Sequence, residues 1–239
     1  MSPLYVYALM AGEPEEPLGA GLAGEPLQLL SSAGLRVVAG DMAARPAPAP
    51  AALEAHDAVV RRLAERAAAV LPVRFGEWVE GEEALAERLA PRAASLAEAL
   101  ALVRGCVQMT LRVFGEPSQV EFQDPADRSD RSDLSEPAPG PGTRYLAARR
   151  REFERSRSLP EIEPLRKALQ PLLRAERVRR QETGRLVGTA YHLVPREAAG
   201  AYLGTLQAVG GTEGRLPAGH RVAASGPWPP YAFGPEGLP

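Results

Sequence analysis

Apolar positions recur along the chain with two different periods, and the places where the period changes outline its elements. Leu4-Tyr5-Val6-Tyr7-Ala8-Leu9 is apolar at every position and β-prone, which predicts a central strand buried on both faces. Leu35-Arg36-Val37-Val38-Ala39 predicts a second strand, ended by Gly40-Asp41. Ala47-Pro48-Ala49-Pro50 is a stiff extended connector. Beyond it Leu53, His56, Val59, Val60, Leu63, Ala67 and Val70 follow helical spacing, with arginines and glutamates between them. That helix is expected to stop at Pro72, where Leu71-Pro72-Val73-Arg74-Phe75-Gly76 forms a helix-to-strand junction. Alternation there sends Val73 and Phe75 to one face and Arg74 to the other. Residues 82–103 read as helix again, with Leu85, Leu89, Leu96 and Leu100 on one side and a break near Pro91.

Cys106 to Val113 alternates cleanly: Val107, Met109, Leu111 and Val113 face a core, and Gln108, Thr110 and Arg112 face away. Gly115-Glu116-Pro117-Ser118 is a turn signal leading to a short partner strand, Val120-Glu121-Phe122. Residues 124–142 lack any apolar period and read as a mobile loop. From Thr143 to Thr183 the pattern is helical but interrupted by Pro160, Pro164 and Pro171, which predicts three short helices. Leu186 to Val194 alternates, with Val187, Tyr191 and Leu193 on one face. Gly188, Ala190 and His192 share the other, where small residues suit a closely packed helix. Pro195 opens a helix through Ala208, Arg221 to Ser225 is the last strand, and Gly226 to Phe233 can form neither helix nor central strand. The chain thus divides near residue 103 into two α+β halves, 1–102 and 103–239.

Composition adds bounds. The 239 residues are 45% hydrophobic and 24% charged, enough to bury a core, but only 5% aromatic, so that core is mostly Ala, Leu and Val. No apolar run is long enough to span a bilayer, and Met1-Ser2-Pro3-Leu4 lacks the pattern of a signal peptide, so a soluble cytoplasmic protein is expected. A single cysteine, Cys106, and three scattered histidines, His56, His192 and His220, suggest neither disulfide nor metal cluster. Charge is uneven: residues 1–102 carry 8 basic and 14 acidic side chains, whereas 143–185 carry 13 and 6. All but one of the 28 basic residues are arginine, which suits docking of this basic segment on the acidic half.

Candidate chemistry is sparse. The glycines never take phosphate-loop spacing and no G-x-S-x-G elbow exists, so no cofactor is expected. His56-Asp57 sit on one helix about 100° apart and do not form an acid–base pair by themselves. Cys106 lacks an activating neighbour. The Arg149-Arg150-Arg151 run and Arg177, Arg179 and Arg180 resemble a nucleic-acid patch, but Glu152, Glu154, Glu176 and Glu182 interrupt them and no aromatics alternate with the charges. A solvated or internally paired helix face fits them better. Two segments stand out: Leu71-Pro72-Val73-Arg74-Phe75-Gly76, and the tail Gly226-Pro227-Trp228-Pro229-Pro230-Tyr231-Ala232-Phe233, three aromatics on a proline framework with little entropy to lose on docking.

Those two segments, with Leu4-Tyr5-Val6-Tyr7, His56 and Val59, Gly105 before the 106–113 strand, and Tyr145-Leu146, carry a resemblance to the gas vesicle protein GvpL/GvpF family over essentially the whole chain. The terminal Gly-Pro-Trp-Pro-Pro-Tyr string is its most specific part. Ala232 stands where the family usually carries a small polar residue. The resemblance implies a non-enzymatic accessory protein of gas vesicle assembly that binds the small hydrophobic shell protein GvpA and other accessory gas vesicle proteins. It further implies two α+β domains, the second a modified ferredoxin-like fold with a three-helix extension, closed against each other by the tail. The motif residues would then be structural: Leu71, Pro72, Arg74, Phe75, Gly76, Gly226, Pro227, Trp228, Pro229, Pro230, Tyr231 and Phe233. Two other classes compete with it: a small-molecule enzyme or sensor with Arg74 or His192 at a pocket, and a basic nucleic-acid adaptor using residues 144–180.

Overall fold

The computed structural model describes residues 2–12, 17–115, 159–181, 184–209 and 219–234. Strands β1 (Leu4–Ala11), β2 (Leu27–Ser32), β3 (Leu35–Asp41), β4 (Ala69–Pro72) and β5 (Trp78–Val79) form one sheet in the order β2-β3-β1-β4, with β5 also on β1. All its pairs are antiparallel. β1 is central and buried from Leu4 to Met10, as its unbroken apolar run predicts. A bulge between Val6 and Ala8 makes Tyr7 the extra residue. Tyr5 and Tyr7 therefore share the face of Ala8 and Met10, against Val59 and Leu63 of helix α1 (Pro50–Arg66). Leu4, Val6 and Leu9 point to the opposite face, under Leu85 and Leu89 of α2 (Glu82–Leu89) and Leu96 and Leu100 of α3 (Ala93–Val103). The break at Pro91 is a single 3-10 turn, Ala90–Arg92.

Three expectations for this half change. Helix α1 ends at Arg66 rather than Pro72, because Ala69 to Pro72 pairs with Ala11 to Ala8 of β1 and buries all four residues. Proline is tolerated at the end of such an edge strand. Val73 and Phe75 consequently part company: Val73 joins the cluster of Leu71, and Phe75 packs among Tyr5, Tyr7 and His56. Past Val73, whose amide still donates to the Tyr7 carbonyl at 2.9 Å, the chain leaves the ladder and turns at Gly76, whose φ of +91° favours glycine. Strand β2 escapes the periodicity altogether. Leu27-Gln28-Leu29-Leu30 does not alternate, and it is held by β3 through a two-residue turn, Ala33-Gly34, with φ of +50° and +75°.

Strands β6 (Cys106–Phe114), β7 (Ala175–Arg180), β8 (Leu186–Pro195) and β9 (Arg221–Trp228) form a second antiparallel sheet in the order β7-β8-β6-β9. Met109, Leu111, Val113, Ala190 and Val194 pack on Leu165 and Leu169 of α4 (Glu163–Leu169) and on Tyr202 and Leu206 of α5 (Ala199–Val209). The other face is not solvated: Gln108 and Thr110 are buried, and Cys106 and Leu193 join the cluster formed by Leu4, Val6, α2 and α3. Mixed α+β architecture with antiparallel sheets is thus the fold class.

In this half too the structure departs from periodicity. Helical structure after Leu159 ends at Leu172, and Ala175 to Arg180 is a strand, because its alternating residues pair with β8 and only an edge strand can carry so many charges. In β8, Val187 is an extra residue opposite the Val113/Phe114 step, so it faces the helices while Tyr191 and Leu193 face the first sheet. The last strand runs past Ser225 to Trp228, still on an edge. Val120-Glu121-Phe122, the loop 124–142, Tyr145-Leu146 and Arg149-Arg150-Arg151 lie outside the described residues.

Candidate functional site: the C-terminal segment between the sheets

Gly226 to Gly234 begins in the edge strand β9 and, past Trp228, leaves the second sheet and ends against the first. The Gly226–Pro227 peptide bond is cis, and the segment closes with a 3-10 turn at Tyr231–Phe233. Phe233 is 1% exposed and sits in the cluster of Leu71 and Val73 from the first sheet and Leu193 from the second. The Ala232 amide donates to Gln108 Oε1 at 2.7 Å, and its carbonyl accepts from Arg177 Nη1 at 2.6 Å. Backbone groups on both sides therefore anchor Ala232. The Arg177 guanidinium also lies 5.2 Å from the centre of the Phe233 ring. A Cβ on Gly234 would come within 2.9 Å of the Pro72 carbonyl, so tail and motif meet backbone to backbone.

Helix α1 clasps the same segment. The Tyr231 hydroxyl donates to Asp57 Oδ1 at 2.9 Å, while Asp57 Oδ2 pairs with Arg61 Nε at 2.7 Å. Burial, and then the Asp57 carboxylate, push the Tyr231 phenol well above its ordinary range. Arg61 in turn covers the Trp228 ring at 4.5 Å. A cavity of about 210 Å³ remains beside this clasp, lined by Ala67, Val70, Val103, Cys106, Trp228 and Pro230 among others. Burial raises the Cys106 thiol above its usual value, which leaves it protonated and inert.

The neighbouring helix residue faces the other way, as the 100° step requires. His56 is 3% exposed; its Nε2 lies 3.1 Å from the Val73 carbonyl and its Nδ1 2.9 Å from the Tyr5 hydroxyl. The Gly76 amide donates to that hydroxyl at 3.0 Å. One proton arrangement satisfies every group: Gly76 N–H to Tyr5 oxygen, Tyr5 O–H to His56 Nδ1, and His56 Nε2–H to Val73. The imidazole is neutral in this chain, and its burial lowers the pKa. Tyr7 stacks on the ring 5.5 Å away and donates its own hydroxyl to Glu25. The network fixes the backbone of Val73 and Gly76, hence the turn against which the tail ends.

A second histidine is equally committed. His192 is fully buried, with Nδ1 2.7 Å from the Tyr202 hydroxyl and Nε2 3.0 Å from Glu176 Oε1. Burial by itself would raise the Glu176 pKa, but its bonds to His192 and Arg166 outweigh that and hold the carboxyl low. Arg166 also pairs with Glu163 at 2.8 Å. These contacts tie α4 and α5 to the sheet.

Of the motif residues, Leu71, Pro72 and the tail residues Gly226, Pro227, Trp228, Pro229, Pro230, Tyr231 and Phe233 lie along this junction, while Phe75 and Gly76 sit behind it against Tyr5 and His56. Arg74 does neither: its side chain is exposed to solvent. The partners Gln108, Asp57, Arg61 and Arg177 could not be picked out from sequence, since each looks like an ordinary strand or helix surface residue until the sheets meet. Gly226 is more constrained still. Its φ is +128°, and a Cβ would meet the Gln108 carbonyl at 2.8 Å and Met109 Sδ at 3.0 Å. Gly226→Ala is expected to cost about 1–3 kcal/mol in urea unfolding.

A model of the gas vesicle synthesis protein GvpL/GvpF family matches residues 3–235. The chain belongs to that family. Its fold is similar to two solved members. Gas vesicle protein GvpF from Anabaena sp. PCC7120 superposes with a TM-score of 0.68 at 18% identity, covering 98% of this chain and 97% of that one. GvpF from Microcystis aeruginosa gives a TM-score of 0.68 at 18% identity, with 98% and 99% covered. A search of curated proteins returns no match. The fold of this GvpL/GvpF protein is thus preserved at low identity. Among the described residues no helix is long and apolar enough to cross a membrane.

Proposed function

We propose that this GvpL/GvpF protein is a non-enzymatic accessory factor of gas vesicle assembly that binds the hydrophobic shell protein GvpA in the cytoplasm. The observation that carries this reading is the family match from residue 3 to residue 235. Committed chemistry supports it. Both ring nitrogens of His56 and of His192 are held by protein groups, and Cys106 is buried in its thiol form. Two of the three β7 arginines have partners within the chain: Arg177 donates to the Ala232 carbonyl and Arg180 pairs with Glu161 at 3.2 Å, which speaks against a nucleic-acid surface there.

In this reading the chain is two domains, 1–102 and 103–239, closed by the segment 226–239. The second is a modified ferredoxin-like domain. Its support is the succession β6, helices, β7, β8, α5, β9 and the spatial order β9-β6-β8-β7, which is the split βαβ arrangement. The test is a pull-down of purified shell protein by the full chain, with and without chelator and without nucleotide. Binding in both conditions is expected; absence of binding between two folded proteins overturns the reading.

A further inference from the structure

Among the described residues four edges bound the two sheets, one of them shared by β4 and the two-residue β5, and three are protected. The edge strand β7 carries Glu176, Arg177, Arg179 and Arg180. Strand β9 is bulged at Gly226-Pro227, opposite the Gln108/Thr110 step, and proline offers no amide there. Strand β4 ends in Pro72 and is followed by the tail, which packs against the Pro72 carbonyl. Charge, proline, bulge and cover are the devices by which natural sheets avoid adding strands. Strand β2, Leu27-Gln28-Leu29-Leu30-Ser31-Ser32, has no charge, no proline and a regular register with β3, and among the described residues only its first residue, Leu27, is bonded on the outer side, by the preceding loop.

Its hydrogen-bond phase follows from the turn. Ser32 and Leu35 flank the two-residue turn and form the hydrogen-bonded pair, so Ser32, Leu30 and Gln28 address β3. Leu27, Leu29 and Ser31 then address the outside, in agreement with the Leu27 amide donating outward to the Gly19 carbonyl at 3.1 Å. Among the described residues no strand pairs with Leu29 or Ser31 on that side. Leu27 and Leu29 extend the apolar cluster on the α1 face and Leu30 the cluster on the opposite face, all three half-buried. A strand added here would continue both clusters and fill the open donor and acceptor positions.

We propose that the β2 edge captures an extended, uncharged, apolar segment of a partner chain by strand addition, with Leu29 and Ser31 making the main-chain bonds. The occupant follows from the edge itself. An open ladder accepts only extended backbone, and the half-buried Leu27, Leu29 and Leu30 beside it favour apolar side chains in the added strand. The surrounding half, residues 1–102, carries 8 basic against 14 acidic side chains, which favours basic residues flanking the captured segment. This surface rests on the shell-protein reading for the partner's identity, not for the existence of the edge.

The test is fluorescence anisotropy of the full chain with two peptide sets. One tiles the shell protein, and the other is β-prone, apolar and unrelated to it. Ser31→Pro removes the outward amide without touching the β3 ladder, and Ser31→Lys places a charge on the exposed edge. Both are compared with the wild type and checked by thermal melting, so that one folded variant suffices. The expected result is binding of an uncharged shell segment that weakens at least about tenfold in either variant. Shell-peptide binding indifferent to both variants overturns the edge assignment and leaves the shell-protein reading standing. Binding confined to the unrelated peptides and lost in the variants upholds the edge and overturns that reading. Overturning the proposal outright would be a wild type that binds neither set, or one that self-associates through Ser31 in sedimentation without taking peptide.

Discussion

Phe233→Ala lowers the unfolding free energy by about 3–5 kcal/mol, the usual loss for truncating a buried phenylalanine in a packed core. The ring is enclosed by Leu71, Val73 and Leu193, which belong to different sheets, so little of the resulting void can collapse without moving one sheet against the other. For a chain of this size the loss corresponds to a fall of roughly 10 °C in melting temperature. Truncation after Ser225 removes more: the Phe233 ring, the Tyr231–Asp57 bond, the Arg61–Trp228 contact and the acceptor of Arg177. It also leaves Gln108 without the Ala232 amide. Its melting temperature is expected to fall further than that of Phe233→Ala, because the wall that Pro227 to Pro230 give the 210 Å³ cavity is lost as well. A tail that served only as a ligand for a partner would leave the melting temperature unchanged and abolish partner binding. Thermal melts and pull-downs on the two variants separate these outcomes.

His56→Ala is the second large effect, about 2–4 kcal/mol. The cost combines a cavity with the exposure of groups that His56 now satisfies, the Val73 carbonyl and the Tyr5 hydroxyl. The substitution also changes the pH profile. Because burial lowers the His56 pKa below its usual 6.5, the unfolded chain binds a proton there before the folded one does. Stability from this residue is therefore complete above the unfolded pKa and is lost as pH falls from about 6.5 toward the lower folded value. Tyr5 works in the opposite direction: burial pushes its phenol up to about 12, so the folded chain keeps a proton that the unfolded chain releases near pH 10. Its share of stability is lost as pH rises between those values. Urea unfolding across pH should show a plateau with a shoulder on each side. In His56→Ala the acid shoulder should shrink while the alkaline one persists; an unchanged acid shoulder would contradict the neutral, buried imidazole.

Sequence alone determined the elements whose burial is written in their own period. β1 is apolar at every position because both its faces are covered, and α1, α2 and α3 show their buried faces as leucines and valines at helical spacing. The tail, too, announced that it must be buried, since three aromatics on four prolines and glycines have no reason to sit in water. What the sequence could not determine was anything that depends on a partner far along the chain. β2 and β7 are strands only because β3 and β8 offer them ladders; their own residues fit a loop or a helix equally well. The bulges at Tyr7 and Val187 change which face a side chain takes, and a single extra residue leaves no trace in a period of two. Gln108 and Asp57 acquire their roles only when the tail docks, because a hydrogen bond across more than a hundred residues is a property of the packed chain. Local periodicity records how much of a segment is buried; tertiary contact decides against what.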